Sequence, residues 1–158
     1  MSDFQSFADN YTTSNFDKIK FDWNGEHGDK FHDNNGEFRF QLCEFLITQL
    51  DTVKIELIKD LYSELAKYGK ETWGIYNKFH LFGQQLLVRG GTKYLMDYMQ
   101  GASLSMDTYL GSGRIEISKQ LALEILNILK DKIKTSSDIR EKKLAKGFLE
   151  RFEWLATK

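Results

Sequence analysis

The chain has 158 residues, a formal net charge of −1 at neutral pH and a single cysteine, Cys43. This length predicts one domain, 1–158, with a core large enough to fold without disulfides or a structural metal. One cysteine excludes an internal disulfide, and the chain starts without a basic, apolar leader, so the expected compartment is the cytoplasm. No apolar run approaches the roughly 18 residues of a membrane-spanning helix.

The first 36 residues predict an aromatic arm followed by an acidic loop. Apolar positions in 4–11 are spaced as on one face of a short helix. In 19–23 apolar and charged residues alternate, which is typical of a half-buried strand or an extended arm. Residues 24–36, NGEHGDKFHDNNG, form a polar loop. We expect this arm and loop to pack on a helical core, 37–158.

The stretch 37–68 contains neither glycine nor proline, and its leucines recur at steps of three and four residues. This spacing predicts an amphipathic helix that supplies much of the core. At roughly 100° per residue, the apolar face turns by about 60° between the first and second halves. Either one long helix curves, or the chain breaks near Asp51-Thr52. A break is favoured, because about 30 residues is nearly three times the mean helix length.

Further helices follow with clear end signals. Gly69 is predicted to end the central run, and Gly90-Gly91 to end an aromatic helix that covers 75–89. Residues 102–113 predict only a weak helical turn or two and a hinge. Ser118 and Asp138 are predicted to cap the last two helices.

The predicted fold is therefore all-α, an irregular bundle of six or seven helices with the aromatic arm packed across it. The alternative is an α+β fold, in which 19–23, 38–42 and 114–117 form a small sheet.

The sequence contains no recognisable catalytic machinery. It has no glycine-rich phosphate loop and no HExxH motif, and a lone cysteine cannot build a Cys-rich zinc site. Cys43 lies in an apolar setting and is interpreted as core filling. No catalytic residue, cofactor or metal is predicted.

The densest group of functional side chains lies in and beside the acidic loop. Residues 1–36 carry seven acids against three lysines, which suits a surface that meets a basic partner. Within this group, Glu26, Asp29, Asp33 and Glu37 are predicted to bind that partner.

A small single-domain chain with charged, aromatic-rich surfaces and no catalytic group resembles, at the level of class only, immunity and antitoxin proteins. That resemblance implies an inhibitor that covers the active surface of a protein partner, for example a basic toxin domain. The alternative is a small-ligand or nucleic-acid-binding regulatory protein using the aromatic helix or the basic run 130–146. Nucleic acid is disfavoured, since this run has no aromatic residue for base stacking. The third hypothesis is an enzyme that uses His80.

Overall fold

The structure is a computed structural model that describes residues 3–158. In this range it is 74% helical and forms no strand, which confirms the all-α prediction. The α+β alternative is wrong, because 38–42 lies inside a helix and 19–23 makes only one isolated bridge, between Trp23 and Asp33. The α-helices of the described range are α1 (Asp3–Asp9), α2 (Gly36–Leu46), α3 (Ile55–Thr72), α4 (Phe79–Gly90), α5 (Leu95–Ala102), α6 (Met106–Ser112), α7 (Lys119–Thr135) and α8 (Ile139–Leu155).

The predicted break in the central run is present. Helix α2 ends at Leu46, a 3-10 turn covers Ile47–Gln49, and α3 begins at Ile55. The Thr52 hydroxyl donates to the carbonyl oxygen of Gln49 at 3.0 Å and thus closes this turn. The turn lets both halves of the run bury their leucines despite the rotation of the apolar face.

Helix α3 lies at the centre of the core and packs against α4, α5 and α6. Its Tyr62 is fully buried, stacks on Phe79 with ring centroids 4.5 Å apart, and donates its hydroxyl to the Tyr98 carbonyl oxygen at 2.7 Å. A Cβ at Gly101 would lie 2.5 Å from the Tyr62 ring. Only glycine therefore lets α5 approach α3 this closely.

The prediction that Gly69 ends the central run is wrong. Helix α3 continues to Thr72 and ends at Trp73, which is in the left-handed conformation with φ of 54°. Gly69 is buried inside the helix, where a Cβ would lie 2.6 Å from the carbonyl oxygen of Gly74. The glycine is thus explained by a close backbone approach and not by a helix end.

A regular helix occupies the segment for which the sequence predicted only a weak helical turn or two and a hinge. Helix α6 lies in the segment 102–113 and raises the number of α-helices in residues 3–158 to eight. It begins with a reciprocal cap, in which the Thr108 amide donates to the Ser105 hydroxyl at 3.1 Å and the Ser105 amide donates to the Thr108 hydroxyl at 2.9 Å. The third helical position of this motif is usually Glu or Gln. Because Thr108 occupies it here, the sequence does not show the usual capping-box pattern.

Helices α7 and α8 form an antiparallel pair whose predicted caps are both confirmed. The Ser118 hydroxyl accepts the Leu121 amide at 3.1 Å, and the Asp138 carboxylate accepts the Arg140 amide at 2.8 Å. From α8, Arg151 donates to the Tyr98 hydroxyl at 2.9 Å. This bond ties the pair to α5.

The arm is fastened to the bundle first by aromatic contacts. Phe4 and Phe7 of α1 pack on Phe38 of α2, with ring centroids 5.5 and 5.2 Å apart. The Tyr11 hydroxyl then donates to the Asp60 carboxylate on α3 at 2.6 Å. The predicted aromatic docking of the first helix is therefore present.

The second fastening is a buried ion pair between Arg39 of α2 and Asp33 of the loop. The Arg39 side chain is fully buried and the Asp33 side chain is 3% exposed. Arg39 also donates to the carbonyl oxygens of Ile19 and Lys20 at 3.3 and 3.4 Å, and its guanidinium lies 5.6 Å from the centroid of the Tyr68 ring. One side chain thus connects the arm, the loop, α2 and α3.

We predict that Arg39→Met lowers the free energy of unfolding by about 3 kcal/mol or more, because it leaves the Asp33 carboxylate buried without a counter-charge. Arg140→Met is the matched control, since Arg140 is exposed and its loss is expected to change stability by about 0.5 kcal/mol or less. Urea unfolding followed by circular dichroism measures both. Equal unfolding midpoints for the two variants would contradict the role given to the ion pair.

Candidate protein-binding surface

The structure separates the four acids that the sequence grouped together. Glu26 and Asp29 are exposed on the loop. Asp33 is unavailable to a partner in this conformation, because its carboxylate is buried against Arg39 and also accepts a hydrogen bond from the backbone N–H of Asn35 at 3.1 Å. Glu37 lies in the first turn of α2, where its carboxylate accepts the Gln41 amide group at 3.1 Å. Asp33 is therefore the one predicted acid that is withdrawn from the surface, whereas Glu26, Asp29 and Glu37 are exposed.

Trp73 is the most unusual side chain near those acids, and the sequence pattern did not indicate that it would be exposed. It is 76% exposed, although large apolar rings are normally buried. It is also the one residue other than glycine with a positive φ in residues 3–158. The only sequence signal for this conformation is the Trp73-Gly74 dipeptide at a helix end. The left-handed position is usually glycine, but here it is Trp73, and the glycine comes one residue later.

The exposed Trp73 ring is held in place by the acidic loop. It stacks in parallel on the His27 ring, with centroids 5.3 Å apart and planes 1° apart. The His27 ring nitrogen Nε2 lies 3.2 Å from the Glu71 carboxylate. On its other side, His27 meets the edge of Trp23 at 5.0 Å, and Trp23 packs against Phe31 at 6.0 Å.

These contacts connect the surface to the buried ion pair. The Phe31 ring packs edge-on against Tyr68 at 5.9 Å, and Tyr68 also faces the Arg39 guanidinium. A continuous series of rings therefore runs from the core to Trp73. We name the outer part of this series, together with the neighbouring carboxylates, the Trp73 surface; its residues are Trp23, Glu26, His27, Asp29, Phe31, Glu71 and Trp73.

A cavity of about 270 Å³ opens within the Trp73 surface. Aromatic rings form part of its wall, and the Glu71 carboxylate provides a negative charge. Ring faces and a carboxylate together favour a cationic group, above all the guanidinium of arginine. The lining residues are His27, Gly28, Phe31, Glu71, Thr72 and Trp73.

The other chemical candidates do not assemble into a site. His80 is half-buried; burial and then the Arg114 cation lower its pKa, while Glu116 opposes them. In residues 3–158 no hydrogen bond joins it to Tyr94 or Asp97. Cys43 is fully buried, and burial raises the pKa of its thiol.

The described residues contain neither a candidate metal site nor a candidate membrane-spanning helix. No group of three or more His, Cys, Asp or Glu side chains in 3–158 is placed to hold a metal ion. None of the helices in the same range combines the length and apolar character needed to cross a membrane. Comparisons with protein-family models, curated proteins and solved structures found no match to this chain.

We predict that Trp73→Gly is more stable than Trp73→Ala by about 1 kcal/mol, because only glycine adopts the left-handed conformation without a steric penalty. Both variants lose the stack on His27, so the difference between them isolates the backbone strain. Urea unfolding of the two proteins gives this difference directly. An alanine variant as stable as the glycine variant would show that position 73 is unstrained.

Proposed function

We propose that this protein is a protein-binding module of the immunity or antitoxin type, which covers the active surface of a basic partner with its Trp73 surface. The observation that carries the proposal is Trp73 itself, exposed to solvent and left-handed at the end of α3. A left-handed residue other than glycine costs about 1–2 kcal/mol, and such strain is concentrated at functional sites.

Tryptophan is suited to the centre of an interface. It buries a large area with few rotatable bonds, and residues of this kind dominate binding energy in many complexes. The Trp73 ring is already held by His27, so little side-chain freedom is lost when a partner binds. A preformed anchor of this kind supports a protein partner over a substrate that must be surrounded.

The charges around the anchor support a basic partner. Glu26 and Asp29 are exposed on either side of His27 and Gly28 in the loop, and Glu71 lines the cavity beside Trp73. Carboxylates on a rim raise the association rate of a basic protein and disfavour acidic ones. In the bound state, an arginine or lysine of the partner would enter the cavity.

An inhibitory role follows from the same chemistry. Proteins that act on nucleic acids bind phosphates through clustered lysine and arginine. An acidic surface with an aromatic centre can occupy such a cluster and exclude the phosphates. This reasoning supports an inhibitor of a nucleic-acid-directed partner, and it does not require any catalytic group on this chain.

The test is capture from an extract of the source cell by the immobilised protein and three variants. We predict that Trp73→Gly and the double change Glu26→Lys/Asp29→Lys each weaken retention of a basic protein by about tenfold or more, because each loses a central interface contact. The matched control is Glu150→Lys/Glu153→Lys, which reverses two exposed acids on α8. It should retain the same protein as the unmodified chain.

Retention that is the same for all four proteins would contradict the proposal, and so would a captured partner that is acidic. Circular dichroism of each variant shows that the helices are intact before capture is compared.

A further inference from the structure

A second cavity lies on another part of the molecule, between α6 and the first half of α8. Its volume is about 580 Å³, within the range of roughly 300–1,000 Å³ that small-molecule sites occupy. The apolar part of its wall includes Tyr109 from α6 and Leu144 and Phe148 from α8. Met106 also lines the cavity and is 71% exposed, which leaves an apolar edge in contact with water.

The α8 side of the cavity is one continuous helix face. Its lining residues follow steps of three and four along the helix, from Arg140 through Lys143, Leu144 and Gly147 to Phe148. Gly147 lies on this face, and open space surrounds it, since a Cβ there would meet no atom within 4 Å. By helix rise, the face from 140 to 148 extends over roughly 12 Å. The lining residues of α8 therefore put two cations at one end of this face and an aromatic ring at the other.

The two cations at this end are without an ion-pair partner within residues 3–158. Among residues 3–158, no carboxylate lies within ion-pair distance of the Arg140 guanidinium or the Lys143 amine, whereas Lys132 on the neighbouring α7 is paired with Glu141. Two like charges three residues apart repel each other on a helix. An anionic group between them removes that repulsion and gains charge-assisted hydrogen bonds.

We infer that this cavity binds a small amphipathic carboxylate, whose apolar body lies against Tyr109, Leu144 and Phe148 and whose carboxylate meets Arg140 and Lys143. Because the wall is partly apolar and partly cationic, a matching ligand needs both an apolar body and a negatively charged group. An apolar body alone leaves the cations unpaired, and a small inorganic anion leaves the apolar wall exposed to water. This site is independent of the Trp73 surface, which lies on other elements and carries the opposite charge.

The probe is decanoate, titrated calorimetrically into the full chain below its micelle concentration, with decanol and decyltrimethylammonium as matched amphiphiles. We expect saturable binding of one decanoate per chain. Decanol should bind about tenfold more weakly, because it lacks the charge-assisted bonds, and the cationic amphiphile should not bind.

Three variants locate the binding. The double change Arg140→Gln/Lys143→Gln should weaken decanoate by about tenfold and leave decanol unchanged, because only the charged contact is lost. Gly147→Leu should abolish binding of both, since its side chain extends into the open space. Lys130→Gln/Lys134→Gln removes two exposed cations of α7 that do not line the cavity and should bind decanoate as the unmodified chain does.

The inference is overturned if decanoate does not saturate, if the cationic amphiphile binds equally well, or if Arg140→Gln/Lys143→Gln binds decanoate with unchanged affinity. An acidic peptide that binds in place of decanoate would also overturn it. Should Gly147→Leu fail to fold, the double glutamine variant still decides the matter, because both of its changes are at exposed positions. Trp73→Gly should bind decanoate normally, so failure here and failure of the proposed partner surface are distinguishable.

Discussion

The ion pair between Arg39 and Asp33 is the interaction on which the position of the arm and the acidic loop depends. It joins the loop to α2 in the interior, and the same guanidinium donates to backbone carbonyls of the arm. A buried ion pair adds little net stability compared with well-packed apolar groups, since desolvation offsets its Coulomb attraction. We interpret the ion pair as a contact that positions the loop, because the buried Asp33 carboxylate meets the Arg39 guanidinium in only one alignment of the loop on α2. That register brings His27 against Trp73 and leaves Glu26 and Asp29 in solvent.

Helical periodicity carried most of the fold prediction. The break between α2 and α3 was predictable, because a rotation of the apolar face cannot be accommodated by one straight helix. Asp33 could not be assigned from sequence, since its burial depends on the loop folding back so that the carboxylate meets Arg39, six residues further on in α2. The exposure of Trp73 could not be predicted either. The periodic pattern shows which apolar side chains face the core, and it does not show which apolar side chains remain in solvent. Of the surface that we propose, the sequence indicated the acids Glu26 and Asp29 and did not indicate Trp73.

The overall charge of −1 conceals two faces of opposite sign. The loop presents carboxylates around an aromatic anchor, and the first half of α8 presents unpaired cations around an apolar cavity. Binding at each face depends on local charge, because salt screens interactions beyond about 10 Å. A basic protein at one face and an amphipathic anion at the other are therefore compatible, and each face selects against the ligand of the other. The two surfaces lie on different elements, one on the acidic loop and the end of α3, the other on α6 and α8.

The central claim is that Trp73 touches a basic partner, and site-specific photo-crosslinking tests it most directly. Benzoylphenylalanine replaces Trp73 in one protein and Trp154, a second exposed tryptophan at 55%, in the other. Both proteins are illuminated in an extract of the source cell. We predict an adduct with a basic protein from position 73 and none with that protein from position 154. The same adducts from both positions, or adducts from position 154 alone, would contradict it.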